Sequence, residues 1–199
     1  MQCGLSFIVA TAWLMTWPAA WLWGAGESSP PIGPQIGQVV VVLVPGWKAT
    51  SGQLRRFARD PSGGWRAVGP AAEVVVGRGG CGWGRGLHPV AAEAASSGPQ
   101  KREGDGRSPA GVFALGPAFG SQPTLETGLE YLPMERGHWC IDVPDSPHYN
   151  RIVHQRDVGD AGITGSSEPM RRDLHVGDQQ YRLGIVIGHN PAGVADLGS

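Results

Sequence analysis

The sequence predicts a mainly β domain, either a sandwich or a curved mixed sheet with few short helices. Short apolar runs such as residues 39–44 recur between turns rich in glycine and proline, and long helical patterns are almost absent. With 199 residues, the chain is long enough for one domain with a sizeable core. The 32 glycines and 17 prolines have no period and delimit apolar runs, which favours a folded domain over a disordered chain.

Turn residues separate the predicted strands. Residues 38–44 are a continuous apolar run, which predicts a strand central in a sheet, and Pro45-Gly46 ends it. Residues 53–59 alternate, placing Leu54 and Phe57 toward the core, and the DPSGG sequence that follows predicts a hairpin turn. Further strands are predicted at 65–68, 72–76, 112–115, 129–134, 138–142, 149–154 (strand or turn) and 181–189, and those at 129–134 and 138–142 are expected to pair around a turn at 135–137.

Helical signals are few. Residues 91–97 predict one short helix, and residues 168–172 predict a single helical turn. Residues 157–167 are polar and contain glycine, so they predict a loop. In the last strand, alternation places Leu183, Ile185 and Ile187 on one face and Val186 on the other.

The N-terminal 26 residues contain no charged side chain and are followed by small, polar and proline-rich residues. This pattern predicts a signal peptide at residues 1–26, or alternatively an uncleaved membrane anchor, then a linker at 27–37 and one domain at 38–199. Both alternatives place the domain outside the cytoplasmic membrane, secreted, periplasmic or in the cell envelope, with membrane contact only through the N-terminal segment. A net charge of −1 without a basic block argues against nucleic-acid binding.

Residues 101–120, KREGDGRSPAGVFALGPAFG, are the most strongly patterned stretch of the domain. Glycines on both sides of Asp105 predict a tight turn, and Pro109 forces the preceding residue into an extended conformation. A short strand is expected at 112–115, with Phe113 and Leu115 on one face, before a break at Gly116-Pro117.

Four segments in order resemble the L,D-transpeptidase catalytic-domain (YkuD-like) family: residues 77–88 (GRGGCGWGRGLH), 101–120, 142–150 (DVPDSPHYN) and 181–190 (YRLGIVIGHN). The resemblance covers residues from about 39 to the end. It implies a β fold and a role in the bacterial cell wall. The family's reaction is a cysteine-mediated acyl transfer on peptidoglycan stem tetrapeptides that releases D-Ala and requires no metal or organic cofactor.

One departure concerns catalysis. In the family, the catalytic His and a Ser/Thr-x-Gly-Cys turn follow the segment that 181–190 resembles, and no residue of this sequence matches either of them. No catalytic residue is therefore assigned, and we expect a domain that lacks its catalytic segment and is inactive as this chain. Loss of the last strands is expected to uncover an apolar face or an unpaired edge. The alternatives are a non-catalytic peptidoglycan-binding envelope protein and a gene remnant.

Four residues are candidates for a substrate cleft: Lys101, Asp105, His189 and Asn190. The alternative for the first two is a solvated charged turn, and for the last two a strand end that closes a turn with Pro191. Residues 142–150 predict structural roles, with aspartates capping turns and a tyrosine hydroxyl that is hydrogen-bonded.

The domain contains two cysteines. Cys81 lies in a Gly-Gly-Cys-Gly sequence that imitates a nucleophile turn, although a small residue filling a turn is the favoured interpretation. Cys140 alternates with its neighbours as a core strand residue, and a disulfide between the two is left open. A zinc site made of both cysteines, His88 and His138 is disfavoured because the ligands lack paired short spacing.

Overall fold

The computed structural model describes residues 5–9, 32–89, 97–195 and 198. The predicted helix at 91–97 falls outside these residues except at its last position. The predicted N-terminal signal segment also falls outside them, apart from residues 5–9. The described part of the chain is mainly β and contains several sheets, as the sequence predicts.

The secondary structure comprises strands separated by short turns, with helical structure confined to the C-terminal half of the described chain. The strands are β1 (Leu5–Val9), β2 (Gln38–Leu43), β3 (Ser51–Arg59), β4 (Trp65–Ala67), β5 (Ala72–Val75), β6 (Cys81–Trp83), β7 (Ser108–Ala110), β8 (Val112–Gly120), β9 (Tyr131–Pro133), β10 (His138–Cys140), β11 (Ile152–His154), β12 (Glu168–Pro169) and β13 (Leu183–Ile187). The helices are α1 (Gln155–Ile163) and α2 (Arg172–His175).

The largest sheet has the strand order β13-β8-β1-β2-β3-β4, with β5 also pairing with β3 and β9 also pairing with β8. Strand β2 lies between β1, to which it is parallel, and β3, to which it is antiparallel, so its predicted central position is confirmed. The predicted hairpin turn joins β3 to β4. Asp60 Oδ1 organises this turn by accepting the N–H groups of Ser62 and Gly64, each at 2.9 Å.

Strand β8 continues through Gly116 and Pro117, where the sequence predicted a break. Its ladder with β13 changes register there, since Ala118 is opposite Ile185 whereas Leu115 is opposite Ile187. The extra residue on β8 makes a bulge, and a bulge tolerates a proline because it interrupts the regular hydrogen bonding. The strand therefore keeps its course despite the Gly-Pro pair.

The predicted pairing of 129–134 with 138–142 is wrong. Strand β9 runs parallel to β8, whereas β10 lies between β11 and β12 in a separate antiparallel sheet. The turn at 135–137, closed by the bond from His138 N to Glu135 O at 3.1 Å, thus carries the chain from one sheet to the next. A third, two-stranded sheet pairs β6 and β7 in parallel.

The predicted loop at 157–167 is also wrong, since α1 covers most of it. His154 caps α1 by accepting the N–H of Arg156 at its Nδ1, and Gly159 (φ 70°) interrupts the helical conformation. Two short turns around a glycine cannot build an apolar helical period, so the pattern resembled a loop. The predicted helical turn at 168–172 is displaced, because β12 comes first and α2 begins at Arg172.

No helix in the described part of the chain has the length and apolarity needed to cross a lipid bilayer. Among the described residues, some of the buried apolar side chains form two clusters. One contains Val42, Val44, Cys81 and Ala110. The other contains Phe119, Met134 and Met170, against which Cys140 and Val186 pack. The predicted core role of Cys140 is confirmed.

Strand β13 ends the large sheet, and its faces alternate as predicted. Val186 packs inward, whereas Leu183, Ile185 and Ile187 are 58%, 43% and 37% exposed. Strand β13, at the edge of the sheet, therefore presents an apolar row to solvent.

Candidate functional site

The glycine-rich segment at 77–88 lies directly against the charged loop at 101–108. Gly79 donates its N–H to Gly106 O at 2.8 Å, and Ser108 donates to Gly80 O at 2.9 Å. The Ser108 hydroxyl in turn accepts the N–H of Gly77 at 2.9 Å. These bonds lead into the β6–β7 pair, so residues 27 to 31 positions apart in sequence form one surface.

The glycines that follow β6 allow aromatic rings to approach the backbone closely. A Cβ on Gly84 would lie 2.8 Å from His189 Nδ1, and one on Gly86 would lie 2.6 Å from the ring of Phe113. Only glycine leaves this space. Arg85, between them, donates its N–H to His189 Nδ1 at 3.1 Å, which places the proton of a neutral imidazole on Nε2.

His189 ends a continuous row of aromatic rings that starts at Trp47 and passes through Trp83, His88 and Phe113, with neighbouring ring centroids 5.5 to 5.9 Å apart. His88 also accepts a backbone N–H at Nδ1, from Val112 at 3.1 Å. Both histidines are more than nine-tenths buried. They therefore act in the described structure as packed hydrogen-bond acceptors for the backbone.

Asn190 is a buried hydrogen-bonding centre. It is 1% exposed and has φ +46°, a conformation that Asn tolerates better than most residues. Its Nδ2 donates to Val194 O and to Gly198 O, both at 2.9 Å, and its Oδ1 accepts the N–H of Val194 at 3.1 Å. Its own N–H donates to Arg85 O at 2.8 Å. Asn190 thus fastens the turn after β13 to the glycine-rich segment.

Asn150 supports the same turn from a third segment. It also has positive φ (59°), and its Nδ2 donates to the carbonyls of His189 and Asn190 at 3.0 and 2.9 Å. The neighbouring Tyr149 is buried, and its hydroxyl donates to Glu103 Oε2 and, at 3.4 Å, to Ala195 O. The tyrosine of 142–150 is hydrogen-bonded as predicted.

Lys101 and Asp105 occupy the charged loop, and Lys101 is not solvated as the alternative interpretation supposed. It is 6% exposed, donates to Arg102 O at 2.9 Å and lies 3.5 Å from Asp105 Oδ1. Burial alone would raise the pKa of Asp105, but N–H donation by Arg107 and Arg102 together with the Lys101 charge holds that pKa below its ordinary value. Asp105 is therefore the anion that balances the buried ammonium.

The four predicted cleft residues fall into two pairs that meet at one place. Gly198 lies against the Lys101 ammonium, where a Cβ would not fit, and its carbonyl accepts from Asn190. The structure thus brings Lys101 and Asn190 together around Gly198, with Asp105 paired to the lysine and His189 adjacent to the asparagine in sequence. Lys101, His189 and Asn190 are buried, so they lie beneath the surface of the candidate site and do not line it directly.

Sequence reasoning missed the contribution of two residues to this cluster, Arg85 and Asn150. The backbone of Arg85 links two segments, a function that side-chain identity does not reveal. The two asparagines before turns at 150 and 190 carry a usable signal, since Asn favours turns and positive φ.

Neither cysteine of the domain is suited to nucleophilic attack. Cys81 is 1% exposed, and burial raises the pKa of its thiol against the opposing charge of Arg107. Burial and the carboxylates of Glu168, Asp142 and Glu103 raise the pKa of Cys140 to about 11. Since the thiolate is the nucleophile, both groups are almost wholly in the unreactive form at neutral pH. Both are free thiols, and the disulfide considered between them is not formed.

Among the described residues, no group of three or more His, Cys, Asp or Glu side chains is arranged to hold a metal ion. An apolar cavity of about 230 Å³ lies between β6–β7 and the large sheet, lined by residues that include Val42, Leu54, Cys81, Ser108 and Phe113. The cavity is thus bordered by strands β6 and β7, which lie in the glycine-rich and charged motif segments.

Compared with known proteins, the chain matches no family model, no curated protein and no solved structure.

Proposed function

We propose that this protein is an L,D-transpeptidase-like (YkuD-like) cell-wall protein that binds peptidoglycan stem peptides outside the cytoplasmic membrane and does not carry out acyl transfer as this chain. The proposal rests on the observation that the four motif segments contact one another in the fold. Residues 77–88, 101–120, 142–150 and 181–190 are separated in sequence, yet they are joined by hydrogen bonds into a single unit. Motifs that serve one site are expected to converge in this way.

The charge distribution around the unit supports binding of a peptide with carboxylates. Arg102 is exposed beside the buried Lys101, and the half-buried Arg107 lies in the same loop. The half-buried Arg85 lies on the glycine-rich segment that packs against this loop. Arginine pairs well with carboxylates because its guanidinium presents a planar set of donors. Stem peptides carry such groups.

The family reaction requires a thiolate that attacks the carbonyl preceding the terminal D-Ala. The C–N bond breaks, D-Ala leaves as its amine, and the resulting thioester is taken by another amine or by water. The raised pKa values of Cys81 and Cys140 support the absence of this step. Loss of a nucleophile from a catalytic triad costs on the order of 10⁶ in turnover, so this chain is expected to be nearly silent.

Co-sedimentation with purified sacculi, combined with an assay for D-Ala release from soluble stem tetrapeptide, tests the proposal. We expect saturable binding without release of D-Ala. Arg102→Gln should weaken binding severalfold, whereas Arg66→Gln, at an exposed position on β4, should not. Release of D-Ala would refute catalytic silence, and Cys81→Ala and Cys140→Ala would identify the thiol responsible. Absence of binding would refute the binding function and favour a gene remnant.

A further inference from the structure

Strand β1 occupies an internal position of the large sheet. It is parallel to β2, with five residue pairs from Leu5↔Gln38 to Val9↔Val42. On its other edge it is antiparallel to β8, where Phe7 is opposite Phe113. The backbone of this short segment therefore bridges β2 and residues 112–114 of β8, whereas β9 pairs with β8 further along, at residues 118–120.

The same five residues lie within the uncharged segment 1–26, whose composition predicts a signal peptide or an anchor. The two uses exclude each other, because a segment that is cleaved or inserted in a bilayer cannot pair with β2 and β8. Departure of β1 would leave backbone groups of both strands without partners beside the buried side chains of Val39, Val42 and Phe113. Strand edges in this condition are templates for another strand.

We propose that the position between β2 and β8 is an acceptor for an extended, uncharged apolar peptide supplied by another polypeptide, which replaces β1 once the N-terminal segment has been removed. The incoming strand runs parallel to β2 and antiparallel to β8, as β1 does. Backbone hydrogen bonds on two edges supply affinity, as in other cases of strand addition. The uncharged LSFIV sequence of the present occupant defines the chemistry of the partner. This inference rests on removal of the N-terminal segment, which the proposed location outside the cytoplasmic membrane also implies, and it does not depend on peptidoglycan binding.

The test starts from the full chain with a protease site inserted between Ser28 and Ser29, so that folding precedes cleavage. After cleavage, a labelled peptide carrying the LSFIV sequence between terminal lysines is added in excess. We expect it to exchange with the N-terminal fragment and to bind saturably. Amide hydrogen exchange should then slow at β2 and at residues 112–114, but not at β13.

A peptide with proline in place of Phe7 is the matched control. Proline lacks the N–H that the ladder needs, so binding should fall at least tenfold. Four results would overturn the proposal: retention of the cleaved fragment against excess peptide, loss of the fragment without binding of the peptide, unfolding upon cleavage, or protection confined to β13. Equal binding of the proline peptide would do the same.

Discussion

Replacing Asn190 tests whether the buried polar cluster is a stabilising centre of the domain. Asn190→Ala removes three side-chain hydrogen bonds, two to the carbonyls of Val194 and Gly198 and one from the N–H of Val194. At about 1 kcal/mol for each bond, the loss amounts to about 3 kcal/mol. Alanine at φ +46° adds about 1 kcal/mol, because it lacks the short polar side chain that makes asparagine more tolerant of the left-handed region. The total of about 4 kcal/mol is a large part of the stability of an ordinary domain.

Asn190→Gly separates the two contributions. Glycine removes the same three hydrogen bonds but adopts positive φ without steric cost, so we expect a loss of about 3 kcal/mol. The alanine variant should therefore be less stable than the glycine variant by about 1 kcal/mol. The free energy of docking the turn onto the domain sets an upper limit for both losses, because the turn can detach on its own.

Urea unfolding monitored by tryptophan fluorescence measures these differences, and the eight tryptophans include Trp47 and Trp83 beside the cluster. Amide exchange at Val194 reports local detachment. If both variants lie within about 1 kcal/mol of the unmodified chain and Val194 remains protected, the assignment of Asn190 as a centre is refuted. Equal stability of the alanine and glycine variants would refute the conformational contribution alone.

Three further predictions use the same unfolding assay. Gly86→Ala should cost about 1–3 kcal/mol because its Cβ would meet the backbone carbonyl oxygen of Val112 and, at 2.6 Å, the Phe113 ring. Gly46→Ala, in open space, should stay within about 0.5 kcal/mol, and equal effects of the two substitutions would contradict the close packing. Burial, together with the charge of the neighbouring His154, lowers the pKa of His138 below its ordinary value of 6.5. The unfolded chain therefore binds a proton at this histidine more readily than the folded chain, so the stability that the neutral His138 contributes is present above pH 6.5 and is lost as the pH falls. His138→Gln should therefore lose less stability between pH 7.5 and 5.5 than the unmodified chain, and an equal loss would argue against this assignment. Leu183→Lys, at the exposed end of β13, should reduce light scattering at high concentration while changing stability by only about 0.5 kcal/mol; unchanged scattering would show that this apolar row does not drive self-association.

Turn residues were enough to predict most of the strands, because their effect on the backbone conformation is limited to a few neighbouring positions. Asp60 illustrates this, since its carboxylate closes the hairpin through bonds to residues two and four positions later. The pairing of the strands could not be predicted from such local signals. Strand β9 joins β8 and not β10, and nothing within the intervening turn determines which sheet edge is free. Helix α1 was not predicted because Gly159 divides it into turns that are too short to show the hydrophobic period of a helix.

The candidate site was predictable only in part, for a similar physical reason. The alternation of glycines at 82, 84 and 86 indicates that something approaches the backbone closely, but the approaching group, His189, is 105 positions after Gly84 in sequence and is identified only by the fold. Phe113 is likewise brought to Gly86 by β8. A glycine pattern thus predicts the existence of a contact, whereas the identity of its partner depends on the strand order.

The burial of the charged loop also depends on segments that are distant in sequence. By composition, residues 101–107 are a solvated turn, and an isolated loop of this sequence would keep Lys101 in water. Its burial results from the distant segments that lie over it, with Tyr149 bonded to Glu103 across 46 residues and Gly198 packed on the ammonium. A buried charge is stable only with its partners in place, so Asp105 and the turn held by Asn190 depend on each other. The charged loop and the turn after β13 are therefore mutually dependent, and a change on either side of their junction is expected to loosen the other.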